Sequence, residues 1–137
     1  MIEIISALRK ELHQYPEISG QEEQTATRIV DFLQLHHPPS RILRNVGGHG
    51  ILAIYEFSDE GKTVAIRCEL DALPIEEHND FEYRSAHAGV SHKCGHDGHM
   101  AMVAGLVFWI KEQTFHSGKI ILLFQPAEET GKGAHQM

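Results

Sequence analysis

The 137 residues suffice for one domain with a hydrophobic core, and 42% hydrophobic with 23% charged content excludes a disordered, collagen-like or coiled-coil chain. Twelve basic against nineteen acidic side chains leave a formal charge of −7, which argues against a nucleic-acid backbone or an anionic membrane as partner. Met1-Ile2-Glu3-Ile4-Ile5 places an acid where a signal peptide carries a base, and no run of about eighteen apolar residues occurs. The expected location is therefore cytoplasmic, with Cys68 and Cys94 as free thiols.

Ile4, Ile5, Leu8 and Leu12 recur at helical spacing, predicting a first helix from Ile2 to Gln14 that stops at Pro16. Ser19 with Glu22 three residues on reads as a capping box. It would open a second helix with Thr25, Ile29, Phe32 and Leu33 on one face, ended by Pro38-Pro39. Residues Ile42 to Val46 and Ile51 to Tyr55, joined through Gly47-Gly48 and Gly50, predict a β-hairpin. Thr63 to Cys68 reads as a largely buried strand ending at Glu69-Leu70-Asp71. From Ala72 to His96 periodicity gives way to His, Gly, Asn and Ser, the mark of a long loop, and such loops inside compact domains are more often functional than idle. Gly98 to Gln113 reads as a helix and Ile120 to Phe124 as an apolar strand closed by Pro126. Strand, loop, helix and strand make the βαβ pattern of an α/β protein, with no repeat or linker to suggest a second domain.

Eleven histidines, five of them crowded between His78 and His99, point to metal or acid-base chemistry. Cys94-Gly95-His96-Asp97-Gly98-His99 offers a thiolate and an imidazole two residues apart on a Gly-permissive loop, a pair that can reach one divalent ion; a loop histidine near a thiol is the plainer alternative. Glu128-Glu129 follows the last strand. On an extended backbone the two side chains diverge, so one would bind an ion and the other hold a water, unless the pair is simply a solvated acidic turn. Glu69 and Asp71, two apart on a strand end, should share a face, where they would orient a metal-bound histidine or merely carry surface charge. Cys68 points the other way and reads as a core thiol.

Four segments in order, Leu12-His13-Gln14-Tyr15-Pro16-Glu17-Ile18-Ser19, Arg67 to Ile75, Cys94 to Met102 and Phe124 to Glu129, resemble the aminoacylase and hippurate-hydrolase branch of metallopeptidase family twenty. That resemblance runs from about Ile4 to the last residue. It implies a central mostly parallel or mixed sheet flanked by helices, as part of a zinc-peptidase-like catalytic domain. It implies Cys94, His96 and Glu129 as metal ligands, Glu128 as catalytic general base, and Asp71 as the catalytic-site aspartate beside the metal. The implied cofactor is a divalent metal ion, manganese, zinc, cobalt or nickel, and the implied substrate a small N-acyl amino acid.

Two positions depart from the pattern: Glu69 and Leu70 stand where aspartate and methionine are usual. A third, Lys93, replaces a small residue, and its ammonium would either lower the thiol pKa of Cys94 or face solvent. Two further metal-binding histidines and a smaller dimerisation domain would lie beyond residues 1–137, and full-length relatives would be homodimers. The chain then reads as the N-terminal part of a catalytic domain, either acting within a metal-dependent amidohydrolase or, alone, a non-catalytic fragment that binds metal weakly or not at all. His135 aligns with no implied ligand and reads as a surface histidine.

Overall fold

The computed structural model describes residues 1–137 as four helices and four strands. Helix α1 covers Ile2–Gln14 and α2 Glu23–His36; strands β1, β2 and β3 cover Arg41–Val46, Gly50–Glu56 and Thr63–Glu69. Helix α3 runs His96–Glu112, strand β4 Lys119–Gln125, and a last turn of helix, α4, Gly133–Gln136. No helix is long and apolar enough to cross a membrane.

The sheet has the order β1-β2-β4-β3, with β4 antiparallel to β2 and parallel to β3. A parallel neighbour requires a crossover, and α3 supplies it between β3 and β4. Ile51, Ala53 and Tyr55 lie opposite Phe124, Leu122 and Ile120 on one face, and they join Leu8, Leu12, Ile29, Leu33, Met100 and Val107 from α1, α2 and α3 in a single core. Each Leu, Ile, Val, Phe or Met side chain among these, fully removed from water, favours the fold by roughly 1.5–3 kcal/mol. The mixed sheet flanked by helices is the α/β architecture expected from the sequence.

Three local expectations are corrected. Strand β3 is not largely buried: Thr63, Val64 and Ala65 are exposed and only Cys68 and Glu69 are buried, because β3 lies at the sheet edge with β4 as its one neighbour. The capping box does not form. Helix α2 starts at Glu23, and its free amides at Gln24 and Thr25 donate to the Glu17 carboxylate at 3.3 and 2.7 Å. Ser19 and Glu22 are engaged elsewhere, as described below. Helix α3 begins at His96, two residues earlier than the periodicity suggests, since Gly95 takes a left-handed φ of 96° and lets the chain turn into the helix at once.

The topology brings three strand and helix ends together. The C-terminal ends of the parallel strands β3 and β4 and the N-terminus of α3 meet at one edge of the sheet, where ligands of open α/β sheets bind.

Candidate metal centre

His96, the first residue of α3, is the hub of this edge and is 3% exposed. Its Nδ1 donates to the Asp71 carbonyl at 2.7 Å and lies 3.5 Å from Asp71 Oδ1. With Nδ1 committed to Asp71, Nε2 is the nitrogen turned toward other groups. Glu128 Oε2 and Glu129 Oε1 each lie 3.7 Å from it, and Glu69 Oε2 lies 4.0 Å away. Glu69 and Asp71 thus reach opposite nitrogens of one ring, in agreement with their shared face at the end of β3.

Glu128 and Glu129 do not diverge. The backbone after Pro126 turns rather than extends, with Ala127 at φ 49°, and both carboxylates swing toward His96. Two features hold that strained turn. Fully buried Glu22 accepts the Ala127 amide at 2.8 Å, and Thr130 Oγ1 donates to the Ala127 carbonyl at 3.2 Å. Gly133 lies against the Pro126 carbonyl, where any Cβ would collide. Glu22 is therefore a scaffold residue for the Glu pair and not half of a capping box.

Asp71 is fully buried and unites the three elements. Its Oδ2 accepts the Ser19 hydroxyl at 2.6 Å and the Glu129 amide at 2.9 Å, while its carbonyl takes His96. Burial alone would raise its carboxyl, but the His96 ring 3.5 Å away and the hydrogen bonds from Ser19 and Glu129 outweigh this and hold it at about 2. Burial likewise works against charge on His96, and the hydrogen bonds to Asp71, with the charge of Glu69, reverse it and raise the ring to about 9. Ser19 is a site residue that the sequence pattern concealed, since its partner lies 52 residues away.

Cys94, exposed, stands beside this cluster. One donor atom each from Cys94, His96 and Glu129 fall within 4.8 Å of one another, and Glu69, His96 and His99 form a second such group. In the latter, His99 Nδ1 already donates to Glu69 Oε2 at 2.9 Å, and Arg67 occupies Oε1 of the same carboxylate. The Glu129 carboxylate, then burial and the charges of Glu128 and Glu69, push the Cys94 thiol above its ordinary value. Lys93 is exposed, as one of its two expected placements has it, and its Nζ donates to Glu77 at 3.0 Å.

A divalent cation suits these groups. Glu129 Oε1 is buried with no hydrogen-bond partner, three carboxylates surround one imidazole nitrogen, and thiolate, imidazole and carboxylate are a donor set for zinc, cobalt, nickel or manganese. Removing two or three buried or half-buried negative charges from water without a cation is costly, and a cation here reverses the upward push on Cys94.

Comparison with known proteins gives the chain's relatives. The model of peptidase family M20/M25/M40 matches residues 65–137, from within β3 to the last residue. The chain is 44% identical over 128 residues to an N-acetyl-L-cysteine deacetylase of Bacillus subtilis, covering 93% of this chain and 30% of that protein. It is 41% identical over 132 residues to an N-acyl-L-amino acid amidohydrolase of Geobacillus stearothermophilus, covering 94% and 35%. A crystal structure of a dinuclear metal-binding peptidase of the M20 family from Bacillus subtilis superposes with a TM-score of 0.89 at 31% identity, over 98% of this chain and 37% of that one. The chain spans about a third of the length of the curated relatives it matches.

Proposed function

The chain belongs to peptidase family M20/M25/M40, and from that premise we propose that it supplies the Cys94, His96 and Glu129 ligands and the Glu128 base of a metal-dependent amidohydrolase acting on small N-acyl amino acids. The observation that carries the reading is the convergence of Glu128 and Glu129 on His96 Nε2, at 3.7 Å each, beside the Cys94 thiol. The names of the relatives, a deacetylase of N-acetyl-L-cysteine and an amidohydrolase of N-acyl-L-amino acids, support the substrate class. Because the chain spans about a third of those relatives, hydrolysis is proposed for these residues acting together with what the relatives possess besides.

When bound, a divalent ion supplies Lewis acidity toward the scissile carbonyl and makes water acidic near neutral pH. Cys94, His96 and Glu129 would hold that ion. Asp71 fixes His96 in the tautomer that keeps Nε2 for the ion, and by accepting the Glu129 amide it fixes the backbone that carries the third ligand. Glu128 has its carboxylate on the same side as Glu129 but is the more exposed of the two, 36% against 21% for the side chain. It is thus the group left over to take a proton from the attacking water and deliver it to the leaving nitrogen.

Glu128→Gln separates the two carboxylate roles. In the polypeptide of the relatives' length that carries these residues, loaded with manganese, release of free amine from N-acetyl amino acids should fall about 10²–10⁴-fold. Metal affinity should stay within a few-fold of the parent. A variant that keeps its turnover removes Glu128 from the base role, and one that loses the metal as well makes Glu128 a ligand.

A further inference from the structure

A second polar network, buried and distinct from the Asp71 cluster, runs behind the metal-binding loop. His13 of α1 is 4% exposed and sits between two carboxylates. Its Nδ1 lies 2.8 Å from Asp97 Oδ2, and its Nε2 lies 3.1 and 3.2 Å from the two oxygens of Glu77. Both ring nitrogens are thus engaged, and neither Asn nor Gln can reproduce both contacts at once. Arg9 also reaches Asp97 Oδ2 at 2.7 Å. Glu77 additionally accepts the Ser85 amide, Asn79 and Lys93 at 2.6, 2.7 and 3.0 Å. Phe81 and Tyr83, stacked on each other, pack against the His13 ring.

The two arms of this network end beside the two proposed ligands. Asp97 follows His96 in the first turn of α3; Lys93 precedes Cys94 in the loop. Between Glu69 and His96 the chain has no regular strand or helix, only the bridges of Ala72 to Ile18 and of Leu73 to Ser91. Next to Cys94 the backbone is held by the reciprocal Leu73–Ser91 pair and by the Lys93 amide, which donates to the Ser91 carbonyl at 3.1 Å. The Glu77–Lys93 pair is the side-chain contact nearest to Cys94 in sequence and ties this stretch to α1.

We propose that His13 is a positioning residue for the metal centre, clamping the helix start that carries His96 through Asp97 and the loop that carries Cys94 through Glu77 and Lys93. This rests on the reading of Cys94 and His96 as ligands. Substitution at His13 divides the arms. In His13→Asn the amide stands near the Nδ1 position and keeps the Asp97 arm, whereas in His13→Gln it stands near the Nε2 position and keeps the Glu77 arm.

Cobalt(II) titration of the polypeptide of the relatives' length that carries these residues reads both consequences. Affinity should fall about ten- to a hundredfold in each variant, the usual effect of removing an outer partner of a ligand. At saturating cobalt the thiolate-to-cobalt charge-transfer band should weaken in His13→Asn, which frees the Cys94 loop, and persist in His13→Gln. A general loss of stability shifts the unfolding midpoint and leaves the band of the loaded protein alone. Affinity within about threefold of the parent in both variants, or weakened binding with the parent band in both, overturns the proposal. Should the His13 variants fail to fold, Glu77→Gln cuts the same arm from the other side and must weaken the band; a parent-like titration overturns the proposal equally. A parent chain that takes up no cobalt overturns the ligand reading, and the clamp falls with it.

Discussion

Replacing Asp71 by Asn tests how the metal-centre scaffold is held together before any metal arrives. The carboxyl goes from an ordinary value of 3.8 to about 2 in the fold, a shift of about 1.8, which at 1.36 kcal/mol per unit is about 2 kcal/mol of stability. A depressed carboxyl contributes above its unfolded value and loses the contribution as pH falls through its folded value. The stabilisation is thus present above about pH 4 and gone near pH 2. His96 is the mirror case: raised from 6.5 to about 9, it contributes fully below pH 6.5 and loses that as pH rises through about 9. The two groups share one ion pair, so the energy is counted once. Urea unfolding of the metal-free chain should show Asp71→Asn less stable by about 2 kcal/mol between about pH 4 and 6.5. The gap should close toward pH 2 and narrow again toward pH 9. A difference below about 0.5 kcal/mol at pH 5.5, or one that does not vary with pH, refutes the reasoning.

Metal uptake should be linked to proton release with a definite sign. At pH 7 the metal-free chain holds a second proton on His96, raised to about 9, and a proton on the raised Cys94 thiol, and both must leave for the ligands to bind. Calorimetry in buffers of different ionisation enthalpy should therefore register protons released and an affinity that climbs from pH 6 to 8; uptake without proton release contradicts these assignments. In the core, Leu122 is fully buried at the centre of β4, and Leu122→Ala should cost about 2–5 kcal/mol in the same unfolding assay. An effect under about 1 kcal/mol would mean that the site collapses around the missing side chain.

What the sequence disclosed and what it hid divide along physical lines. Helix α1, the hairpin of β1 and β2, and the β3-α3-β4 crossover follow from spacing within each segment, and the structure forms all of them, with α3 starting two residues earlier than the spacing gives. Burial of β3 was not legible, because an apolar run does not say whether its strand will have one neighbour or two. Ser19 and Glu22 matched a local capping pattern while their true partners, Asp71 and Ala127, lie 52 and 105 residues away. A local pattern carries no information about such pairings. The expected divergence of Glu128 and Glu129 rested on an extended backbone, and a single positive φ at Ala127 removes it. His13 and Asp97 each stood inside a recognised segment, yet only the folded chain shows them bonded.

The central claim is that Cys94, His96 and Glu129 together hold a divalent ion. Equilibrium dialysis of the polypeptide of the relatives' length that carries these residues against zinc or manganese, with Cys94→Ala and Glu129→Gln alongside, tests it directly. The account predicts that the parent binds and that either substitution weakens binding by at least about tenfold with the fold intact. Equal metal uptake by the parent and both variants would contradict it.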